Sequence, residues 1–161
     1  MANFPYRLVQ SEPKMFIGTK QEMSLVQNTT FQLWSGFKPL LNQIQHRVGT
    51  HLVSLQVYPE DYFLRFEPNK TFTKWALAEV SLSTDIPNGM ELFTLEVGQY
   101  FVYDHKGADT QIFAKIFGEM LPKEGFMVDN RPHFEVLGER YKVNSPDSEE
   151  EIWIPVKKLN S

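Results

Sequence analysis

Cysteine is absent from the 161 residues, which excludes disulfides, thiolate metal sites and cysteine nucleophiles. Positive charge is also in short supply, because 16 Lys and Arg stand against 20 Asp and Glu, a formal net charge of -4. The basic footprint of nucleic-acid-binding proteins is therefore missing. A mildly acidic chain is compatible with cationic ligands, although net charge alone does not identify them.

Long apolar runs are missing too. No stretch approaches the roughly eighteen residues that a membrane span needs, and residues 1–10 lack the basic and apolar regions of a signal peptide. We therefore expect a cytoplasmic protein with no membrane partner. The four His have no ligand-like spacing and no phosphate-binding glycine pattern occurs, so we expect neither a metal nor a cofactor.

Aromatic residues are plentiful, with 13 Phe, 6 Tyr and 3 Trp. The stretch 149–157 is typical of a strand, in which alternate side chains share a face. One face then carries Glu151, Trp153 and Pro155, and the other carries Ile152, Ile154 and Val156. A carboxylate beside an indole fits the wall of a pocket for a flat, cationic molecule. The same pattern also fits an exposed acidic strand start followed by a half-buried Trp.

The order of elements is strand, helix, strand, strand, and it occurs twice, with the second copy beginning near Glu91. Five apolar residues at helical spacing predict the first helix: Phe31, Trp34, Phe37, Leu41 and Ile44. Pro39 should kink or split that helix. A second apolar stripe predicts the second helix: Ile112, Phe113, Ile116, Phe117 and Met120. Gly18 and Gly98 suggest strand bulges. Residues 91–104 are predicted to form one strand, with Gly98 as a bulge inside it.

These elements predict an α+β fold with two β-α-β-β modules, both helices on one side of the sheet and a cleft where the modules meet. We expect residues 1–161 to form a single domain with halves near 6–82 and 88–158.

Several segments together resemble the GyrI-like small-molecule-binding domain, also called the AraC-type effector-binding domain. The segments that carry the likeness are residues 86–90, 97–107, 131–136 and 151–156, with looser agreement over 31–37 and 75–80. The resemblance implies paired modules with an antiparallel sheet around a ligand cleft, and ligands that are hydrophobic, often cationic or aromatic.

The resemblance also implies site residues. Glu151, in the Glu-Ile-x-Ile-Pro pattern, takes the position of a pocket carboxylate among aromatics, and Trp75 takes that of a fourth-strand Trp or Tyr. Glu135 matches a recurrent position whose role the resemblance leaves open. We therefore expect Glu151 to anchor a cation by charge. Candidate aromatic walls are Trp75, Trp153, Phe134, Tyr103 and Tyr58.

Relatives of this kind include transcription regulators fused to DNA-binding domains, stand-alone binders, gyrase inhibitors and hydrolases of cyclopropane-bearing compounds. The chain has no segment matching a DNA-binding domain, so direct nucleic-acid binding is not expected. Two alternatives to ligand binding remain. In a hydrolase, Glu151 acts as general acid or base with Tyr103 or Tyr141 as its partner. In a gyrase-inhibitor-like domain, an exposed surface binds a protein.

Overall fold

A computed structural model of the protein describes residues 6–106, 116–139, 141 and 149–159. Nine strands form the fold: β1 (Tyr6–Gln10), β2 (Lys14–Met23), β3 (Arg47–Val57), β4 (Phe72–Val80), β5 (Glu91–Leu95), β6 (Gln99–Lys106), β7 (Phe126–Val128), β8 (His133–Leu137) and β9 (Glu149–Lys158). None of the helices in these described ranges is long and apolar enough to cross a membrane.

All the strand pairs are antiparallel, and the order across the sheet is β1-β6-β9-β8-β3-β4-β2-β5, with β7 beside β9. The order is symmetric about the central pair β8 and β3, as two copies of one module require. Each outer strand, however, lies in the other half: β1 pairs with β6, and β5 pairs with β2. The division into halves near 6–82 and 88–158 stays a prediction.

Within the described residues, helical structure is sparser than the sequence predicts, and the fold is α+β in a broad sense. One substantial helical stretch is described, consisting of α1 (Thr30–Phe37) followed by a 3₁₀ helix (Lys38–Gln43). The change of helix type at Lys38 confirms the break expected at Pro39. In the second half only residues 116–123 are described as helical; Ile112 and Phe113 of the predicted second helix lie outside the described residues.

The predicted apolar stripe of α1 is correct in part. Phe37 and Ile44 are buried, but Phe31 is 81% exposed and Leu33 takes its place in the core at 5% exposed. Leu33 lies four residues before Phe37, and side chains at that spacing share a helix face. The predicted stripe therefore wrongly included Phe31, which faces solvent, and omitted Leu33, which faces the core.

The sheet has two faces, which we name by what they carry. On the helix face, α1 packs over one apolar cluster with Ile17 and Ala76, and the segment 116–123 packs over another with Tyr103 and Ile152. On the opposite face, the cleft face, a third cluster gathers residues from both halves, among them Leu55, Trp75, Tyr100 and Phe134. The alternation predicted for β9 is confirmed, since Ile152, Ile154 and Val156 are each 1–2% exposed.

Neither Gly18 nor Gly98 marks the strand bulge that the sequence predicted. The register of β2 with β4 runs without a shift past Gly18, and Gly18 is required for another reason: a Cβ there would lie 1.8 Å from the carbonyl oxygen of Ala76. The predicted strand over 91–104 is two strands, because residues 96–98 leave the sheet. Gly98 sits in that break, where its N–H donates to Ser11 Oγ at 2.9 Å.

Candidate functional site

Four of the predicted site residues share the cleft face, as the strand registers require. Trp153 stands opposite Phe134, Val136 stands opposite Glu151, and Leu55 stands opposite both Phe134 and Trp75. The Trp153 and Phe134 rings stack with centroids 4.9 Å apart and an interplanar angle of 19°. Trp75 is 7% exposed and packs edge-on against Phe93, which is the geometry of a core residue.

A cleft of about 1180 Å³ opens at the end of the sheet where β8 ends and β9 begins. Phe134, Glu151 and Trp153 line it, together with Glu150 and His105. Seven acidic side chains but only two lysines face the cleft. Because field lines concentrate in a cleft whose walls carry one sign of charge, this opening attracts cations.

Glu151 is not sequestered, which corrects the sequence expectation. Its side chain is 40% exposed, and Arg7 Nη2 lies 3.2 Å from its Oε2. The other carboxylate oxygen, Oε1, accepts a hydrogen bond from Trp153 Nε1 at 3.2 Å. Arg7 also pairs with Asp104 at 2.9 Å. Arg7 therefore shares its single positive charge between Asp104 and Glu151 and balances only part of the charge of Glu151. The role of Glu151 as the cation anchor stays a prediction.

Glu151→Gln should change the affinity for a hydrophobic cation by less than about threefold, because exposed ion pairs contribute little and Arg7 competes for the same carboxylate. Calorimetric titration with tetraphenylphosphonium measures this. A loss of tenfold or more would restore Glu151 as the anchor. Glu67→Gln, which removes an exposed carboxylate, is the matched control.

Two predicted aromatic residues lie on the helix face instead. Tyr103 stands opposite Ile152 in the register and is 2% exposed in the cluster beneath residues 116–123. Tyr58 follows β3 and packs beside His133, with ring centroids 4.9 Å apart. The sheet therefore separates Tyr103 from Glu151, so these two cannot form the acid–base pair suggested for a hydrolase.

The middle of the helix face is polar, in contrast to the apolar clusters on either side of it. Ser54, Gln56 and His133 are buried there. Beside them, the carboxyl groups of Glu135 and Glu150 lie within hydrogen-bonding distance of each other. Glu135 stands opposite Ser54, on the central strand pair of the symmetric sheet. Glu135 thus lies beside the strand pair where the two predicted halves meet, and Glu150 lies next to it on β9 of the same predicted half.

The environment of this pair alters its ionisation. Burial and the neighbouring Glu150 raise the pKa of Glu135 to about 8, because both disfavour a second negative charge. Burial also raises the pKa of Glu150 and lowers that of Lys74, which is close to both carboxyl groups. Carboxyl groups perturbed in this way, at a junction between halves, are typical of functional sites.

Further contacts hold the pair in place. His105 Nδ1 lies 3.3 Å from Glu150 Oε1, and the two side chains are only 10% and 12% exposed. Lys74 Nζ donates to Thr30 Oγ1 of α1 at 3.1 Å. Glu150 also borders the cleft. Its carboxyl group therefore lies between the opening of the cleft and the half-buried carboxyl group of Glu135.

Aromatic rings flank the same region. Burial raises the pKa of the Tyr58 hydroxyl, to which the charge of Glu135 adds. Phe63 stacks on His133 with centroids 5.3 Å apart and an angle of 27°. Burial lowers the pKa of His133 to about 3, so its ring is neutral. It forms part of the aromatic group with Tyr58 and Phe63.

The sequence contains a signal for this site. Glu150 belongs to an acidic strand start, which is typical of a solvated segment, but it shares a face with Ile152 and Ile154. A carboxylate on an otherwise aliphatic face is the unusual feature. For Glu135, the only signal in the sequence is its match to a recurrent position of the family that the chain resembles. The groups of His, Asp and Glu within the described part of the chain offer no metal site.

Solved structures share this fold. SAV2435 bound to tetraphenylphosphonium has a TM-score of 0.70 at 19% identity, with 96% of this chain and 95% of that chain covered. The C-terminal domain of EcmrR has a TM-score of 0.65 at 14% identity, covering 97% and 99%. The integron cassette protein VCH_CASS2 of Vibrio cholerae has a TM-score of 0.61 at 16% identity, covering 94% and 95%.

Sequence comparison points the same way. No curated protein sequence matches this chain significantly. The family described as "Cass2: Integron-associated effector binding protein" matches residues 7–156, which is nearly the whole chain. The GyrI-like, effector-binding fold predicted from the sequence is therefore confirmed, and the chain belongs to the Cass2 family of integron-associated effector binding proteins.

Proposed function

We propose that this effector-binding domain takes hydrophobic cations, and that the Glu135–Glu150 pair meets the positive charge of the ligand. The observation that carries the proposal is the contact between these two carboxyl groups, which project from the neighbouring strands β8 and β9 on the same face of the sheet. Two half-buried acidic groups in contact disfavour each other's ionisation, and a cation placed beside them relieves that repulsion. An anion would increase it.

The surroundings favour a ligand that is flat-sided and apolar as well as charged. Tyr58, Phe63 and the neutral ring of His133 offer aromatic surfaces next to Glu135. A cation near an aromatic face gains about 0.5–2 kcal/mol, and apolar area that leaves water adds roughly 25 cal/mol per Å². Such contacts do not depend on one exact shape, so the site suits a range of related compounds.

A relative supports the ligand class. SAV2435, which has the same fold, was solved bound to tetraphenylphosphonium, a cation whose single charge is enclosed by four phenyl rings. The acidic cleft that borders Glu150 gives the present chain a route for such an ion. Trp153 and Phe134 stack on the cleft face, across the sheet from Glu135, and remain proposed contacts for a ligand within the cleft.

The two alternatives from the sequence stay predictions. For a hydrolase, Tyr141 now replaces Tyr103 as the candidate partner, because the charges of Glu135 and Glu150 both act on its hydroxyl. The sequence prediction gives Glu151 the role of acid or base, and turnover of a cyclopropane-bearing compound that is lost in Glu151→Gln would favour it; turnover lost in Glu135→Gln instead would assign that role to Glu135. Binding to a gyrase subunit would favour the protein-interaction function, and nothing on the described surface singles out such a partner.

Calorimetry with two ions of the same shape and opposite charge tests the proposal. We expect the protein to bind tetraphenylphosphonium and not tetraphenylborate, since only charge sign distinguishes them. At pH 8.5, Glu135→Gln should weaken tetraphenylphosphonium binding about tenfold, or about 1.4 kcal/mol, and Glu67→Gln should not change it. Failure to bind the cation, or equal binding of both ions, would contradict the proposal.

A further inference from the structure

The contact between Glu135 and Glu150 has a chemical requirement. An ionised carboxylate has only acceptor oxygens, whereas a protonated one has a single O–H donor. Two carboxyl groups can therefore form a hydrogen bond only when one of them holds a proton. Glu135 and Glu150 are on the same face of neighbouring strands and their carboxyl groups interact, so the ligand-free pair favours one shared proton at pH values below about 8.

The charged and titratable neighbours determine how firmly that proton is held. Facing the pair are Lys74 from β4 and His105 from β6, together with the hydroxyls of Tyr58 and Tyr141. Lys74 is the nearest compensating charge, but it also donates to Thr30. One cation shared in this way does not balance two ionised carboxylates in a buried place.

We propose that a cationic ligand enters this site in exchange for the proton that Glu135 and Glu150 share. The inference rests on the proposed function and specifies how the charge is balanced. In the exchange, the O–H bond of the protonated carboxyl breaks, the proton leaves to solvent or buffer, and both carboxylates remain ionised beside the ligand. No other bond changes, and the net charge of the filled site equals that of the empty one.

This exchange makes charge the basis of selection. A neutral compound of the same shape cannot replace the proton, so it leaves the pair as it is. A cation competes with protons, so its affinity rises with pH while Glu135 is still protonated in the ligand-free protein. The raised pKa of Glu135, about 8, puts this rise between about pH 6 and pH 9. Above that range the affinity is constant.

Titration calorimetry in buffers of different ionisation enthalpy counts the protons released. With tetraphenylphosphonium at pH 7.5, in phosphate and in Tris, we expect roughly 0.5–1 proton released per ligand bound. Between pH 6 and pH 9 the affinity should rise roughly tenfold, which corresponds to a pKa one unit lower in the complex. Triphenylphosphine oxide, which is neutral, should release no proton if it binds.

Two variants identify the source of the proton. In Glu135→Gln the amide donates to Glu150 in place of the shared proton, so the cation should bind as in the natural protein at pH 6 but without proton release or a rise in affinity with pH. In Glu150→Gln, Glu135 loses its acidic neighbour and ionises at lower pH, so proton release at pH 7.5 should fall and the rise in affinity should move to more acid pH.

The outcomes separate the two proposals. Cation binding without proton release in the natural protein, at a constant affinity from pH 6 to pH 9, would overturn the exchange and leave the proposed function intact. No cation binding would overturn both. Release that persists in Glu135→Gln would assign the proton to Lys74 or His105 and overturn the exchange as stated. The two-buffer measurement on the natural protein decides the matter even if a variant does not fold.

Discussion

Replacing Glu135 by glutamine should raise the thermal stability of the ligand-free protein at pH 8.5 and leave it nearly unchanged at pH 4.5. The folded protein holds the pKa of this carboxyl at about 8, against an ordinary value of 4.5. Between those values the folded chain binds a proton that the unfolded chain does not. Folding stability therefore decreases as pH rises from 4.5 to 8, and the loss is complete above pH 8.

Glutamine removes this dependence, because it does not titrate and its amide can still donate to Glu150. The expected gain at pH 8.5 is on the order of 3 kcal/mol, or roughly 6–12 °C in Tm for a chain of this size. Thermal unfolding of both proteins from pH 4.5 to pH 9 measures it. Glu67→Gln should show no such pH-dependent difference. A constant difference between Glu135→Gln and the natural protein at all pH values would contradict the burial of an acidic pair.

Gly18→Ala should have an effect of similar size in the opposite direction. The added methyl carbon would lie 1.8 Å from the carbonyl oxygen of Ala76 and 3.0 Å from the Cα of Leu77. Both are backbone atoms of β4, so β2 and β4 must move apart where they pair through nine consecutive residues. We expect a loss of about 3 kcal/mol, at the upper end for overpacked interiors, which corresponds to roughly 6–12 °C in Tm.

Gly36→Ala is the matched control for this variant. Gly36 lies in α1, and nothing lies within 4 Å of the position its Cβ would take. Alanine is favoured over glycine in an exposed helix by about 0.5–1 kcal/mol, so this variant should be slightly more stable. Urea unfolding of both proteins gives the comparison. If Gly18→Ala proves as stable as the natural protein, the close contact between the two strands is wrong.

The strands that could be predicted are those whose own sequence alternates between apolar and polar residues or is bounded by turn residues. The bounds of β4 agree with the predicted strand Phe72–Val80, and the two faces of β9 follow from strict alternation. Partners distant in the chain have no such pattern. Nothing in the local sequence indicated that β1 lies beside β6, or that Arg7 reaches Glu151 across 144 positions. These contacts depend on the order of strands.

The candidate site shows the same limit. The shared face of Glu151 and Trp153 could be predicted, whereas Tyr103 and Tyr58 lie on the opposite face from the one expected. The family resemblance drew attention to Glu151 and Glu135. Burial could not be predicted, because it depends on what packs above a strand. Glu151 is near an edge of the cleft with Arg7 beside it, whereas Glu135 is central and Glu150 is 12% exposed. The more deeply placed carboxyl groups became apparent only from the assembled sheet.

The exchange of outer strands between the predicted halves has a consequence for dividing the domain into fragments. A fragment comprising residues 6–82 would contain β1 without β6 and β2 without β5, leaving backbone donors and acceptors unpaired along its margins. Neither repeat is thus a self-sufficient building block in its present form. We expect the two fragments to fold only when mixed, because each then supplies the edge strand that the other lacks.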